Sequence, residues 1–233
     1  MQGIVYGIGV GPGDPELVTL KAVRLISEAD IIALPQKGPG MDITALEIVK
    51  PVTDVAQKQL LPLPMPMVKD EQVLNAAHDK AAELIIEQIK LGKKVCFLTL
   101  GDPTVYSTYI YVHKRILKAG YPAQLIAGVP SFCAVAARLN ISLAEREEMI
   151  HVIPGTYSGT DDSYLDLPGN KVIMKSGKKI GLLKEHIATR GLLDNAKMVE
   201  CCGMKNERVF QSLAQIDADN NYFSVIILKE KKE

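Results

Sequence analysis

"YGIGVGPGDPEL", residues 6–17, sets four glycines and two prolines in twelve positions. The preceding run "GIVYGIGV" (3–10) is β-branched and then glycine-rich, and after it Leu17, Leu20, Val23, Leu25 and Ile26 recur near helical spacing. The stretch therefore reads as the turn of a strand, turn, helix unit. A glycine turn in that place commonly cradles a nucleotide, and its details decide which. A dinucleotide fingerprint needs glycine at the first, third and sixth places of a run. The sixth places counted from Gly7, Gly9 and Gly11 hold Pro12, Asp14 and Glu16, so the fingerprint fails in every register. A phosphate-binding G-x-x-x-x-G-K-[ST] loop is absent from the chain as well. Asp14 followed by Pro15 reads as a helix N-cap and first helical residue. That puts a carboxylate where a pyrophosphate would otherwise sit.

Outward from this turn, "ADIIALP" (29–35) is a buried strand and "QKGPG" after it a loop. "LPLPMPMV" (61–68) has three alternate prolines, which remove donors and force extended backbone; it is an extended connection or an edge strand. Val73, Leu74, Ala77, Ala81, Leu84, Ile85 and Ile89 trace one face of a helix ending near Gly92. The strand "KVCFLTL" (94–100), a helix over about 105–119 stopped by Gly120, and the strand "YPAQLIAG" follow. Alternating strands and helices predict a mainly parallel sheet covered on both faces. Beyond about Gly128 the pattern changes. A helix over 131–139, strands in "EMIHVIPG" and "KVIMKS", the polar loop "TYSGTDDSYLDLPGN" and a helix over 180–190 lead into "KMVE", "ERVFQSL" and a last strand "YFSVIILK". The fold class is α/β, with two α/β domains over 1–125 and 126–233.

Composition narrows the function classes. With 47% hydrophobic and 23% charged residues and a mean hydropathy of +0.09, the 233-residue chain has the makeup of a folded domain protein, far from the disordered class. Lys plus Arg and Asp plus Glu both number 27, so no global field draws in nucleic acid or a membrane surface. Any anionic ligand must meet a local patch. Cys96, Cys133, Cys201 and Cys202 form no C-x-x-C pair and read as buried thiols of a reducing compartment. His78, His113, His151 and His186 lack metal-site spacing, and no metal is expected. Met1 runs into a strand without a basic stretch, and no apolar run reaches the ~18 residues of a membrane span. These features predict a cytoplasmic protein.

Gly13-Asp14-Pro15 recurs as Gly101-Asp102-Pro103, again after a buried strand, and "GVPS" (128–131) adds a third turn of similar kind. In open α/β sheets ligands collect outside the carboxyl ends of the strands. The turns would line one pocket, or each Asp-Pro would simply start a helix.

Together, "GIGVGPGDPELVTLKAVRLISEADII", "TLGDPTVYSTYIYVHKRI" and "AGVPSFCAVAARLNISLAE" resemble the tetrapyrrole methylases, S-adenosylmethionine-dependent enzymes of cobalamin and sirohaem synthesis. "GDPTVYST", "GVPSF" and "AARL" most resemble the branch that methylates C20 of precorrin-2 or cobalt-factor II, and the likeness spans essentially the whole chain. The resemblance implies a homodimer of two-domain α/β subunits with the methyl donor in a cleft between the domains and S-adenosylhomocysteine as product. It assigns Pro12 to the border of the cofactor pocket, and Leu100, Gly101, Asp102 and Val105 to the methionine end and sulfonium. Pro130, Ser131, Phe132, Met174, Cys202, Phe223, Ser224 and Val225 would close around adenine and ribose. Two departures from the family pattern stand out: Ala127 occupies a position usually held by proline, and Cys201-Cys202 replaces an Asn-Gly-like pair.

Methyl transfer from a sulfonium is in-line displacement at an already activated carbon, so the protein mainly positions the reactants. Asp102 is a candidate charge partner for the cationic donor, and Tyr106 and Tyr222 are candidate substrate-facing groups. A tetrapyrrole bearing several carboxylates requires a basic rim, for which Arg115, Arg138, Arg146, Lys175, Lys178 and Lys179 are candidates. Methylation at another tetrapyrrole carbon, an NAD-dependent oxidoreductase and a nucleotide-binding sensor are the competing readings.

Overall fold

The computed structural model describes residues 3–36, 44–155, 162–176, 179–216 and 223–231. The chain divides into two compact units between Pro130 and Ser131.

The first unit carries β1 (Ile4–Gly9), α1 (Leu20–Glu28), β2 (Ile31–Gln36), α2 (Thr44–Val49), β3 (Gln59–Pro64), α3 (Glu71–Lys90), β4 (Lys94–Thr99), α4 (Tyr109–Lys118) and β5 (Ala123–Ile126). The strands form one parallel sheet in the order β3-β2-β4-β1-β5. Because both faces are covered, its strands are apolar at successive positions rather than alternately. Ile32, Leu34, Cys96 and Leu98 turn to the layer of α1 and α2, whereas Ile31, Ala33, Val95 and Phe97 turn to α3 and α4. On α3 the recurrent apolar face buries Ala81, Ala82, Ile85 and Ile89. Each of those isoleucines contributes on the order of 2 kcal/mol. The proline-rich stretch supplies β3, which among the described residues is an edge strand paired with β2, where missing N–H groups do least harm.

Two helix starts differ from the sequence reading. Asp14 accepts the Glu16 N–H but caps a short 3₁₀ turn, Pro15–Leu17, and α1 begins only at Leu20 under a separate cap, Thr19. Leu20 itself lies exposed, off the buried face of Ala22, Leu25 and Ile26. Likewise, α4 starts at Tyr109, later than the predicted 105, since residues 102–108 are held in a loop by side-chain bonds.

The second unit carries α5 (Ser131–Leu139), β6 (Ile150–Pro154), β7 (Asn170–Met174), α6 (Ile180–Thr189), β8 (Ala196–Glu200), β9 (Arg208–Phe210) and β10 (Ser224–Leu228). Its sheet, ordered β6-β7-β10-β8-β9, is mixed: β6 and β7 are parallel, and the other pairs antiparallel. Ile173, Met198, Ile226 and Leu228 pack with Ile180, Leu183 and Ile187 of α6. The loop from Asp162 to Asp166 is fastened to α6 by Arg190, whose guanidinium grips Asp166 through two bonds of 2.7 and 2.8 Å and Asp162 through one of 2.8 Å. These bonds hold both carboxyl groups below their usual pKa range.

The cysteines divide rather than all being buried. Cys96 and Cys201 are buried, Cys202 half-buried and Cys133 exposed. Burial pushes the Cys96 thiol up to about 12, so it behaves as a small apolar side chain donating to the Leu25 carbonyl. Among the described residues no helix is long and apolar enough to cross a membrane.

Candidate active site

At the carboxyl edge of the first unit's sheet, the loops after β1, β4 and β5 are stitched into one platform. Gly11 and Gly101 form an antiparallel bridge: Gly11 N–H donates to the Gly101 carbonyl at 3.2 Å, and Gly101 N–H to the Gly11 carbonyl at 2.8 Å. The loops that carry the two Gly-Asp-Pro turns thus meet at Gly11 and Gly101. The third loop closes on them, since the Gly128 N–H donates to Asp102 Oδ2 at 2.9 Å. A Cβ on Gly128 would fall 2.3 Å from the Gly101 carbonyl oxygen, and one on Gly9 would fall 2.6 Å from that same atom. Backbone approaches this close admit no side chain, which is the physical reason for glycine at both places.

Asp102 is the clasp of this platform. Its Oδ1 accepts the Thr104 N–H at 2.8 Å and the Thr104 hydroxyl, while Oδ2 takes the Gly128 bond across 26 residues of sequence. The side chain is buried and its negative charge faces backbone donors. It is not the N-cap of α4, which begins seven residues later at Tyr109. Beyond Thr104 the loop is fixed a second time. Ser107, also buried, bonds Thr99 through its hydroxyl at 2.9 Å and accepts the Tyr109 N–H at 3.2 Å. Tyr109 then fills the space that Gly7 leaves open, where a Cβ would lie 1.9 Å from the ring.

The remaining predicted residues of this unit sit on the same edge. Pro12 is buried in the first loop, and Leu100, Gly101 and Val105 are half-buried around Asp102. Pro130 ends the unit. Tyr106 is 45% exposed and has φ +48°, a left-handed conformation in a residue other than glycine.

In the second unit, Ser131 and Phe132 open α5. Met174 and Val225 are cross-strand partners, both buried, and Ser224 lies opposite Glu200. The Ser224 and Ser176 hydroxyls are 3.2 Å apart in the interior. Phe223 precedes β10, its carbonyl accepting the Cys201 N–H at 2.9 Å. Cys202 stands in the turn after β8, beside Glu207, which accepts the Gly203 N–H at 2.8 Å and pairs with Arg138 at 2.5 Å. Tyr222 and Lys178 lie outside the described residues.

The candidate basic rim is thinner than the sequence suggested. Arg115 braces α4 against α3, bonding Asp79 at 2.5 Å, Asn75 at 2.8 Å and the Tyr111 carbonyl at 3.1 Å. Arg138 is engaged with Glu207 in the same manner. Arg146 lies in the loop after α5 and Lys179 just ahead of α6. Lys175 follows β7 with φ +60° and is half-buried, and desolvation lowers its pKa. The sequence reading missed Gly9, Thr99 and Ser107 as parts of the platform. Gly9 was visible as an unexplained glycine in the opening stretch; nothing local marks Thr99 or Ser107.

At this edge the three loops are joined by backbone groups and by the Asp102 carboxylate. Residues 4–217 match the family model "Tetrapyrrole (Corrin/Porphyrin) Methylases". The chain is 33% identical to a probable cobalt-precorrin-2 C(20)-methyltransferase of Methanocaldococcus jannaschii, over 98% of this chain and 96% of that protein. It is 31% identical to the cobalt-precorrin-2 C(20)-methyltransferase of Salmonella typhimurium, over 100% and 99%. Its fold is similar to the uroporphyrin-III C-methyltransferase of Thermus thermophilus solved with S-adenosylhomocysteine, with a TM-score of 0.70, 20% identity and coverage of 97% and 92%. The chain belongs to the tetrapyrrole methylases.

Proposed function

We propose that the protein transfers a methyl group from S-adenosylmethionine to C20 of precorrin-2 or of its cobalt form, in corrin-ring synthesis. The observation that carries this reading is likeness along the whole chain to two C20-methyltransferases at 31–33% identity. The glycine platform supports it independently. S-adenosylmethionine contains an adenosine, a sulfonium, an ammonium and a carboxylate but no phosphate. The turn after β1 suits such a ligand, since the Asp14 carboxylate, which accepts the Glu16 N–H, would repel an anionic group there.

When bound, the donor supplies a methyl group activated by the positive sulfur. The residues of the chain then have to hold and orient. The crossed Gly11–Gly101 bonds and the Asp102–Gly128 clasp fix three loops relative to one another, so that binding does not have to order them. Fixing donor and acceptor at reacting distance supplies about 7–11 kcal/mol of the barrier, a share large enough to account for the absence of a required nucleophile in this reading. Asp102 acts as the organiser of the loops. The family resemblance also assigns Met174, Cys202 and Phe223 to Val225 of the second unit to the cofactor, and in this reading the working enzyme is a homodimer.

The test is incubation of the purified protein with S-adenosylmethionine and enzymatically made precorrin-2, metal-free or cobalt-loaded. Mass spectrometry should find one added methyl and stoichiometric S-adenosylhomocysteine. Binding of NAD without methyl transfer would instead favour an oxidoreductase.

A further inference from the structure

Tyr106 is held in a conformation that costs an L side chain strain, and the structure fixes it there from both sides. Its φ of +48° is left-handed. Glycine adopts that region without penalty, whereas a tyrosine's Cβ crowds the following carbonyl oxygen. On the upstream side, the Gly11–Gly101 bridge and the Asp102 clasp anchor the loop. On the downstream side, buried Ser107 is tied to Thr99 and to the Tyr109 backbone, and Tyr109 is wedged against Gly7. Such over-determined strain accumulates where the position of a side chain matters. Along the loop, Thr104, Tyr106 and Thr108 are exposed and alternate with Pro103, Val105 and Ser107, which are buried or half-buried. Tyr106 is the aromatic member of that exposed row, with 45% of its surface open, on the platform where three strands end.

We infer that Tyr106 is a substrate-positioning residue whose ring lies against the conjugated macrocycle of the acceptor. This rests on the proposed C20-methyltransferase reading, which supplies an acceptor with an extended π-face. An aromatic ring offers such a face a large contact area and few rotatable bonds to immobilise. A loop whose only need was the turn would be served by glycine.

The discriminating variant is Tyr106→Gly, with Tyr106→Phe beside it. Wild type and both variants are compared for melting temperature, S-adenosylhomocysteine affinity by calorimetry, and KM and kcat on precorrin-2 or its cobalt form. The glycine variant should bind S-adenosylhomocysteine within about twofold, while its KM for the tetrapyrrole rises about tenfold. The phenylalanine variant should recover most of that loss. An unchanged KM in Tyr106→Gly overturns the inference. So does a parallel loss of S-adenosylhomocysteine affinity, which would make Tyr106 a strut of the loop. A phenylalanine variant as impaired as the glycine one overturns the role of the ring. If wild type itself transfers no methyl to either tetrapyrrole, the functional reading fails and takes this inference with it; turnover by wild type with an unaffected Tyr106→Gly sinks the inference alone.

Discussion

Replacing Asp102 with alanine removes three hydrogen bonds, from the Thr104 N–H, the Thr104 hydroxyl and the Gly128 N–H. The Thr104 pair sits within one turn beside an exposed residue, so water replaces much of it, at a cost of about 0.5–1.5 kcal/mol. The Gly128 bond is charge-assisted and joins separate loops, and it contributes about 1.5–3 kcal/mol. The variant should therefore lose on the order of 2–4 kcal/mol. At about 2–4 °C per kcal/mol for a chain of this length, its melting temperature falls by roughly 4–16 °C. Asp102→Asn keeps one acceptor oxygen and should fall between the variant and wild type. Thermal melts followed by circular dichroism read the stability, and calorimetric titration reads the ligands. Because Asp102 organises the loops, S-adenosylmethionine and uncharged-sulfur S-adenosylhomocysteine should weaken by similar factors. A melting temperature within about 1 °C of wild type would refute the clasp. Selective weakening of the sulfonium ligand would refute the organising role in favour of direct charge contact.

Gly128→Ala should be more damaging than its one added carbon suggests. The Cβ meets backbone atoms of Gly101 and Gly9 at 2.3–2.8 Å, none of which can swing aside, so ~3 kcal/mol and most cofactor affinity should be lost in melts and titrations. The contrast is Gly181→Ala in α6, where a Cβ meets nothing within 4 Å; it should be neutral or gain about 0.5–1 kcal/mol from helix propensity. Acidification should also destabilise the first unit. Burial, joined for His78 by the nearby Arg115 cation, holds His78 and His113 below their ordinary value of 6.5. The unfolded chain therefore takes up those protons first: stability is complete above about pH 6.5 and declines as pH falls through the folded values. Melts over that range should slope less steeply in His78→Phe, which keeps the ring stacked on Tyr111.

Much of this architecture was legible because burial writes itself into the chain. The apolar runs at 29–35 and 94–100 and the helical face from Val73 to Ile89 appear as β2, β4 and α3, and the proline run appears as an edge strand. The loops that carry the two Gly-Asp-Pro turns are bridged at Gly11 and Gly101. Asp102 shows where local rules stop. An Asp-Pro pair looks the same whether it caps a helix or clasps a distant loop, and the Gly128 amide that decides between them is a tertiary contact. The ion pairs of the rim candidates Arg115 and Arg138 were hidden for a similar reason, since their carboxylate partners lie 36 and 69 residues away. The mixed order of the second sheet was likewise hidden, because short strands carry no mark of their direction.

The central claim is transfer of methyl to one carbon of one class of acceptor. The most direct test is to run the reaction with S-adenosylmethionine labelled in its methyl group and to locate the new methyl on the tetrapyrrole by NMR. The account predicts a single labelled methyl at C20. A label at any other ring carbon, or an acceptor recovered without label, would contradict it.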